Sequence, residues 1–267
     1  MNNIYFALLI TLLAGLSTGI GGLIAIFSKK DNKNFLSISL GFSAGVMIYV
    51  SFIEIFQKAK VSLIAALGET KGHWITVLAF FAGMLLIALI DKAIPSQDNP
   101  HEICALDDLE CQKELENKTL KRTGILTALA IGIHNFPEGL ATFISAMQDS
   151  SVAIPIAIAI ALHNIPEGIA VAVPMYHSTG SKKKAFLYSL ASGISEPIGA
   201  IVGFLLLRNF FNDLTFGIIF ASVAGIMVFI SLDELLPAAR EYGEHHLSIY
   251  GLISGMMVMA LSLLLLQ

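Results

Sequence analysis

Eight apolar runs, each close to the roughly 20 residues that a helix needs to cross a bilayer, follow one another along the chain. They lie at residues 4–28, 35–57, 74–94, 124–147, 152–174, 184–207, 214–237 and 248–266. The runs do not alternate apolar and polar residues at every second position, as the strands of a membrane barrel do, and therefore predict helices. Charged residues make up only 13% of the sequence, against about 25% in soluble domains. The expected fold is an all-α integral membrane protein with eight transmembrane helices, forming a single domain over residues 1–267.

The basic residues are distributed unequally between the two sets of loops that eight spans define. Twelve Lys and Arg residues lie in the loops on one side, and four lie in the loops on the other. Because loops rich in Lys and Arg remain in the cytoplasm, both termini are predicted to lie outside. Residues 95–123, between the third and fourth spans, then form an acidic cytoplasmic loop, which is not expected to fold by itself.

The two ends of the chain resemble each other. Residues 44–54 in the second span are similar to residues 224–234 in the seventh, and residues 15–21 in the first are similar to residues 193–199 in the sixth. The third and eighth spans share a Gly-Met and an Ala-Leu pair at the same spacing. Because the first and sixth spans would cross in opposite directions, spans 1–3 and 6–8 are predicted to be inverted repeats around a central pair, spans 4 and 5. Inverted repeats with broken helices are typical of secondary transporters.

A six-residue motif, His-Asn-x-Pro-Glu-Gly, occurs once in each span of the central pair, at residues 134–139 and 163–168. Its His and Glu are four residues apart and therefore share one helix face. Its Pro has no N–H, so it bends the helix and frees the carbonyl four residues earlier, at Ile133 and Leu162. Two such copies facing each other would place nitrogen and oxygen ligands together inside the membrane.

These polar residues predict a metal site. Glu138 and Glu167 lie in the middle of apolar spans with no Lys or Arg at their depth, where a divalent cation would neutralise both. The alternative is a pair of structural carboxylates that the Asn side chains satisfy. Glu196, followed by Pro197, adds a third carboxylate from the sixth span, and this number of ligands favours two adjacent metal positions. The candidate ligands are His134, Asn135, Glu138, His163, Asn164, Glu167 and Glu196.

The ligand types limit the metal. A site of imidazole, carboxamide and carboxylate without thiolate fits zinc, iron(II), manganese, cobalt or cadmium better than Cu(I), magnesium or calcium. Glu54 near the outer end of the second span, and Asp233 with Glu234 near the inner end of the seventh, are candidates for a metal pathway. The alternative for these three residues is that they are solvated carboxylates at helix ends.

The eight spans, the two motifs and Ser-Glu-Pro-Ile-Gly in the sixth span resemble the ZIP family of divalent metal transporters over nearly the whole chain. The resemblance implies two metal positions bridged by Glu138 and Glu167. It implies that the first metal is held by His134, Glu138, His163 and Glu167, and the second by Asn135, Glu138, Asn164, Glu167 and Glu196. It also implies uptake into the cytoplasm, broad selectivity with zinc foremost, and a homodimer.

We therefore expect a multi-pass protein of the bacterial cytoplasmic (inner) membrane that takes up zinc, and also iron(II), manganese, cobalt and cadmium, by alternating access. The same ligands would serve a passive metal channel, which the sequence does not distinguish from a carrier. An intramembrane metalloenzyme is a further alternative, but the familiar His-Glu-x-x-His arrangement is absent. The expected partners are the metal ions and the lipid bilayer, with no nucleic acid. Zn²⁺ and Fe²⁺ are expected as transported substrates and not as cofactors, and no prosthetic group is expected.

Overall fold

The computed structural model describes residues 2–27, 32–93, 109–148, 150–207, 212–241 and 245–265. No strand occurs in these ranges, in agreement with the predicted all-α class. The α-helices are α1 (Asn2–Ile26), α2 (Lys33–Val50), α3 (Phe56–Leu67), α4 (Glu69–Ala93), α5 (Leu109–Gln148), α6 (Ser150–Thr179), α7 (Lys182–Val202), α8 (Asp213–Ile230), α9 (Leu236–Glu241) and α10 (His245–Leu265). Three π-helical turns, π1 (Ser51–Ile55), π2 (Gly203–Leu207) and π3 (Ser231–Leu235), continue α2, α7 and α8.

Six helical segments within the described ranges are long and apolar enough to cross a membrane. They are Ile4–Ile26, Lys33–Leu67, Glu69–Lys92, Lys182–Leu205, Asp213–Glu241 and His246–Leu265. These segments correspond to predicted spans 1, 2, 3, 6, 7 and 8, which supports a multi-pass membrane protein. Predicted spans 4 and 5 are not among them and lie within α5 and α6, which are 40 and 30 residues long.

Two predicted loops contain helix. The connection expected at residues 58–73 is helical except at Gly68, whose φ of 80° ends α3 before α4 begins at Glu69. Glycine adopts this left-handed conformation without the steric cost that a Cβ would bring. Of the acidic loop expected at residues 95–123, residues 109–123 form the beginning of α5, and residues 95–108 lie outside the described residues.

The helices α5 and α6 pack against each other, and both also pack against α1 and α7. Glycines allow these helices to approach closely. A methyl group added to Gly139 of α5 would overlap the carbonyl oxygen of Glu196 on α7, and one added to Gly168 of α6 would overlap that of Thr18 on α1. The glycine at the end of each motif therefore allows its helix to pack closely against a neighbour, as small residues do in membrane helix pairs.

The outer helices pair separately: α2 packs against α10, and α4 packs against α8. The outward faces of α4 and α10 carry large exposed apolar side chains, among them Trp74, Leu85, Leu261 and Leu264. Such faces suit contact with lipid, whereas the polar motif residues of α5 and α6 are turned inward.

Candidate metal centre

The two motifs lie in the interior of the helix bundle. Each of α5 and α6 continues as a helix through the proline of its motif, Pro137 or Pro166, so the proline does not divide it into two helical elements. The imidazoles of His134 and His163 are almost completely buried, and their ring centroids are 6.3 Å apart. The predicted i, i+4 geometry thus brings the two copies face to face.

Glu138 lies between the two imidazoles. One of its carboxylate oxygens is 3.0 Å from Nε2 of His163, and the other is 3.3 Å from Nε2 of His134. One ligand atom from each of these three side chains lies within 4.8 Å of the others. This spacing is close enough for a single ion to be bound by all three after small side-chain rotations, since typical metal–nitrogen and metal–oxygen bonds are about 2.0–2.2 Å long.

Glu167 faces the same cluster from α6. It is 0% exposed, and one of its oxygens is 3.7 Å from Nε2 of His134. Neither of its carboxylate oxygens has a hydrogen-bond partner among the residues that the structure describes. A carboxylate buried without compensation is very costly, so this side chain needs a cation or a proton.

The two motif asparagines are anchored by backbone carbonyls. Asn135 donates from Nδ2 to the carbonyl of Ser192 at 3.3 Å, and Asn164 donates from Nδ2 to the carbonyl of Ala14 at 3.1 Å. Both side chains are completely buried, and neither Oδ1 has a partner within the described part of the chain. The amide nitrogens are therefore occupied, while both amide oxygens remain able to bind a cation.

Glu196 brings a third carboxylate from α7. It is 0% exposed; its Oε1 accepts a 2.5 Å hydrogen bond from Nδ2 of Asn164, and its Oε2 has no partner in the described ranges. The carboxylate also lies within electrostatic range of Glu138 and Glu167. Three carboxylates that interact in the bundle interior repel one another, and divalent cations bound between them would remove that repulsion.

The residues at the centre fit the divalent metals named above. They offer imidazole nitrogens, carboxylate oxygens and amide oxygens, and several of these atoms are buried without a partner among the described residues. Such a mixed nitrogen and oxygen site suits zinc and its neighbours in the first transition row. The alternative, in which the Asn side chains satisfy the two motif carboxylates, explains little, because the hydrogen bond from Asn164 goes to Glu196 and leaves Glu167 without one.

Glu54 lies in π1, apart from the buried cluster. Its Oε1 forms a 2.7 Å ion pair with Lys58, and the pair lines a surface cleft together with Phe216. The carboxylate is nevertheless close enough to His163 for the two side chains to interact electrostatically. Glu54 is therefore not one of the close neighbours of the centre, and its place on a metal pathway stays a prediction.

Asp233 and Glu234 lie in π3 and form a second acidic cluster with Asp91 at the end of α4, with ligand atoms within 4.8 Å of one another. Arg122 of α5 forms a 2.6 Å ion pair with Asp91, and Thr123 donates a 2.9 Å hydrogen bond to Glu234. The sequence did not indicate this association of Asp91 and Arg122, because a carboxylate at the end of a span is usually solvated.

Comparison with known proteins identifies the family. A family model described as the ZIP zinc transporter matches residues 92–263. A protein named zinc transporter ZupT from Clostridium perfringens is 65% identical, and the match covers 99% of this chain and 97% of the relative. The proteins of that name from Streptococcus mutans and Oceanobacillus iheyensis are 65% and 61% identical, over 98% and 100% of this chain and the same shares of the relatives. The resemblance inferred from the motifs is thus confirmed, and the chain belongs to the ZIP family of zinc transporters.

Proposed function

We propose that this protein takes up divalent transition-metal ions, zinc foremost, into the cytoplasm through a binuclear centre inside the membrane. The observation that carries the proposal is the convergence of three carboxylates, from the partly buried Glu138 and the completely buried Glu167 and Glu196, on two imidazoles and two amide oxygens. Similar proteins that are named zinc transporters support it. This family consists of transporters, so the alternative of an intramembrane enzyme is not favoured.

The two metal positions share the bridging carboxylates of Glu138 and Glu167. In the first position the ligands are these two residues with His134 and His163. In the second position they are the same two with three further residues, Asn135, Asn164 and Glu196. The short distances from Glu138 to both imidazoles support the first set, and the contact between Asn164 and Glu196 supports the second.

The transported ions include iron(II), manganese, cobalt and cadmium besides zinc. Mixed ligands without thiolate do not select sharply among these metals, because their affinities for nitrogen and oxygen ligands follow one general order. Zn²⁺ and Fe²⁺ are substrates in this proposal, and the protein holds no prosthetic group.

The halves of the chain form an inverted repeat, and transport proceeds by alternating access. Two sets of features support the repeat. The turns π1 and π3 lie in the similar segments 44–54 and 224–234, and Glu54 and Glu234 occupy the same place within them. The carbonyls that accept from Asn164 and Asn135 belong to Ala14 and Ser192, and those beside Gly168 and Gly139 belong to Thr18 and Glu196. The number of residues from Ala14 to Ser192 equals the number from Thr18 to Glu196. The contacts of α1 with α6 are therefore equivalent to those of α7 with α5.

Such a repeat gives the protein two equivalent conformations. In one, the centre is open to the outside, and in the other, the equivalent helices of the second half open it to the cytoplasm. Glu54 attracts cations at the outer end, and Asp233 and Glu234 receive them at the inner end. The helices α5 and α6 cross the membrane as the central pair, with prolines that weaken them at the depth of the ligands.

We place the protein in the bacterial cytoplasmic (inner) membrane with both termini outside, as a homodimer. The excess of Lys and Arg in one set of loops supports this orientation. The exposed apolar faces of α4 and α10 provide surface for lipid and for a second subunit.

The direct test is uptake of zinc-65 into proteoliposomes that contain the purified protein. Wild type is compared with Glu138→Ala and with Glu114→Ala, which removes an exposed carboxylate from the same helix. We expect saturable uptake that Glu138→Ala abolishes and that Glu114→Ala leaves unchanged. Full uptake by Glu138→Ala would contradict the binuclear centre. Competition by iron(II), manganese, cobalt and cadmium ranks the substrates, and counterflow of zinc distinguishes a carrier from a channel.

A further inference from the structure

Thr18 in α1 has a buried hydroxyl group that its neighbours do not satisfy. The side chain is 0% exposed, and its Oγ1 has no hydrogen-bond partner among the described residues. A buried hydroxyl without a partner costs about 1–3 kcal/mol, so such groups are rare and call for an explanation. Water or another polar group that the protein binds would supply the missing partner.

Four other threonines in helices satisfy their hydroxyl groups within the helix, although the buried hydroxyl of Thr127 in α5 also has no partner among the described residues. Thr11, Thr76, Thr142 and Thr179 each donate to the carbonyl four residues earlier, at distances of 2.6–2.9 Å. For Thr18 that carbonyl belongs to Ala14.

The carbonyl of Ala14 already accepts two side-chain hydrogen bonds, from Nδ2 of Asn164 and from Oγ of Ser17. The anchoring of a proposed metal ligand, Asn164, therefore displaces the hydroxyl of Thr18 from its usual acceptor. The unsatisfied hydroxyl is thus a direct consequence of how the centre is built.

The position of Thr18 corresponds to that of Glu196. The two residues have the same separation in sequence as Ala14 and Ser192, the two carbonyls that anchor the motif asparagines. The surroundings also correspond: a methyl group added to Gly193 would lie 2.8 Å from Cβ of Thr18, and one added to Gly15 would lie 3.3 Å from Cβ of Glu196. Thr18 therefore stands on α1 where Glu196 stands on α7.

We infer that Thr18 is a further residue of the metal centre, the uncharged counterpart of Glu196, and that its hydroxyl holds a water molecule bound to one of the metal ions. The inference rests on the proposed function. A threonine is shorter than a glutamate by about the length of a carboxyl group, so a water molecule fills the space between its hydroxyl and the ion. The hydroxyl positions this water and does not bind the metal directly.

This difference between the two halves gives the centre three carboxylates instead of four. Two divalent cations then carry one positive charge more than their carboxylate ligands, which keeps the ions from being held too tightly to leave. A carboxylate at position 18 would balance the charge and slow the release. Thr18 thus sets both the hydration and the net charge of the loaded centre.

The test measures zinc binding by titration calorimetry on the purified protein in detergent, with zinc chloride as the ligand. Thr18→Val has nearly the same shape and lacks the hydroxyl, whereas Thr18→Ser keeps it. We expect two bound zinc ions in wild type, and about fivefold weaker binding of one of them in Thr18→Val, as the loss of one hydrogen bond predicts. Thr18→Ser should bind both ions as wild type does.

The matched control is Thr11→Val, which removes an equally buried hydroxyl two turns earlier on the same helix, where the acceptor is the carbonyl of Ala7. This control should bind zinc as wild type does. Thr18→Asp should give tighter binding and, in proteoliposomes, a lower KM together with a lower kcat, a combination that a general loss of stability would not produce.

Equal binding of both ions by wild type and Thr18→Val would overturn the role of Thr18 and leave the metal centre intact. An equal loss in Thr18→Val and Thr11→Val would also overturn it, because it would show a general effect of removing buried hydroxyls from α1. Failure of the wild type to bind two zinc ions would instead contradict the proposed function itself.

Discussion

Asn164 donates a 2.5 Å hydrogen bond from its side-chain nitrogen to a carboxylate oxygen of Glu196 and so joins α6 to α7 at the centre. The same nitrogen donates to the carbonyl of Ala14 on α1, so one amide links three helices. For Glu196 to bind a metal through this oxygen, the N–H of Asn164 must give way to the cation. In the proposed centre, an ion bound through this oxygen would therefore change the contact between α6 and α7 and connect occupancy of the centre to the packing of its helices.

Asn164→Asp should make the stability of the protein depend more strongly on zinc. The substitution replaces an N–H donor by a carboxylate beside Glu196, so the two charges repel each other without metal and gain an additional attraction to it. We expect a lower Tm than that of wild type in EDTA and a larger increase in Tm when zinc is added. Thermal unfolding of the purified protein with and without zinc measures both.

Asn135→Asp is the comparison for this prediction, because Asn135 donates to a backbone carbonyl of Ser192 and no hydrogen bond links it to Glu196 among the described residues. Its destabilisation in EDTA should be smaller than that of Asn164→Asp. Equal Tm values for the two variants in EDTA would contradict a special contact between Asn164 and Glu196.

Glu167→Gln should abolish transport without destabilising the metal-free protein. The carboxylate is completely buried and has no hydrogen-bond partner within the described part of the chain, so a neutral side chain of the same shape is at least as easily accommodated. We expect a Tm in EDTA no lower than that of wild type, with loss of the increase that zinc causes. A variant that zinc still stabilises as strongly as wild type would argue against Glu167 as a ligand of both metals.

Gly139→Ala should disturb the packing of α5 against α7. The added methyl group would overlap the carbonyl oxygen of Glu196, and overpacking of this kind typically costs about 1–3 kcal/mol. The control is Gly132→Ala on the same helix, where nothing outside that helix lies within 4 Å of an added methyl group. We expect a lower Tm for Gly139→Ala and an unchanged or higher Tm for Gly132→Ala, and equal effects would contradict the close approach at Gly139.

Arg122→Gln should slow transport at the inner end of the proposed pathway. The ion pair with Asp91 places a positive charge beside a cluster of three carboxylates, and its loss would let that cluster hold metal ions longer. We expect a several-fold lower kcat for zinc uptake, and recovery in the double variant Arg122→Gln with Asp91→Asn, which removes one charge of each sign. A double variant as slow as Arg122→Gln alone would show that the charge of Asp91 is not responsible.

Local spacing was enough to predict that the His and Glu side chains of the two motifs lie together. The i, i+4 separation of His134 and Glu138 places them on one helix face, and the second copy of the motif provides the facing partner. A second signal indicated Glu196, which is a carboxylate followed by Pro197 in the middle of the sixth apolar span.

Contacts between distant segments were not predictable in the same way. The sequence did not indicate that the motif glycines lie against the backbones of Thr18 and Glu196. Close contacts of this kind depend on the angles at which the helices cross, which local sequence does not determine. The repeat did not indicate the meeting of Asp91 with Glu234, because it aligns Glu234 with Glu54 but aligns Asp91 with the apolar Leu263. The helix α3 was overlooked because its Lys residues suggested a loop, whereas a single glycine, Gly68, makes the turn.

The turns π1 and π3 bear on the ancestry of the chain. A π-helical turn contains one residue more than a turn of α-helix and so usually marks a residue inserted into an older, regular helix. Here the two turns begin at Ser51 and Ser231, which are equivalent positions in the similar segments 44–54 and 224–234. On the proposed repeat, one insertion before the gene segment was duplicated accounts for both, whereas the opposite order of events requires the same insertion to have occurred twice.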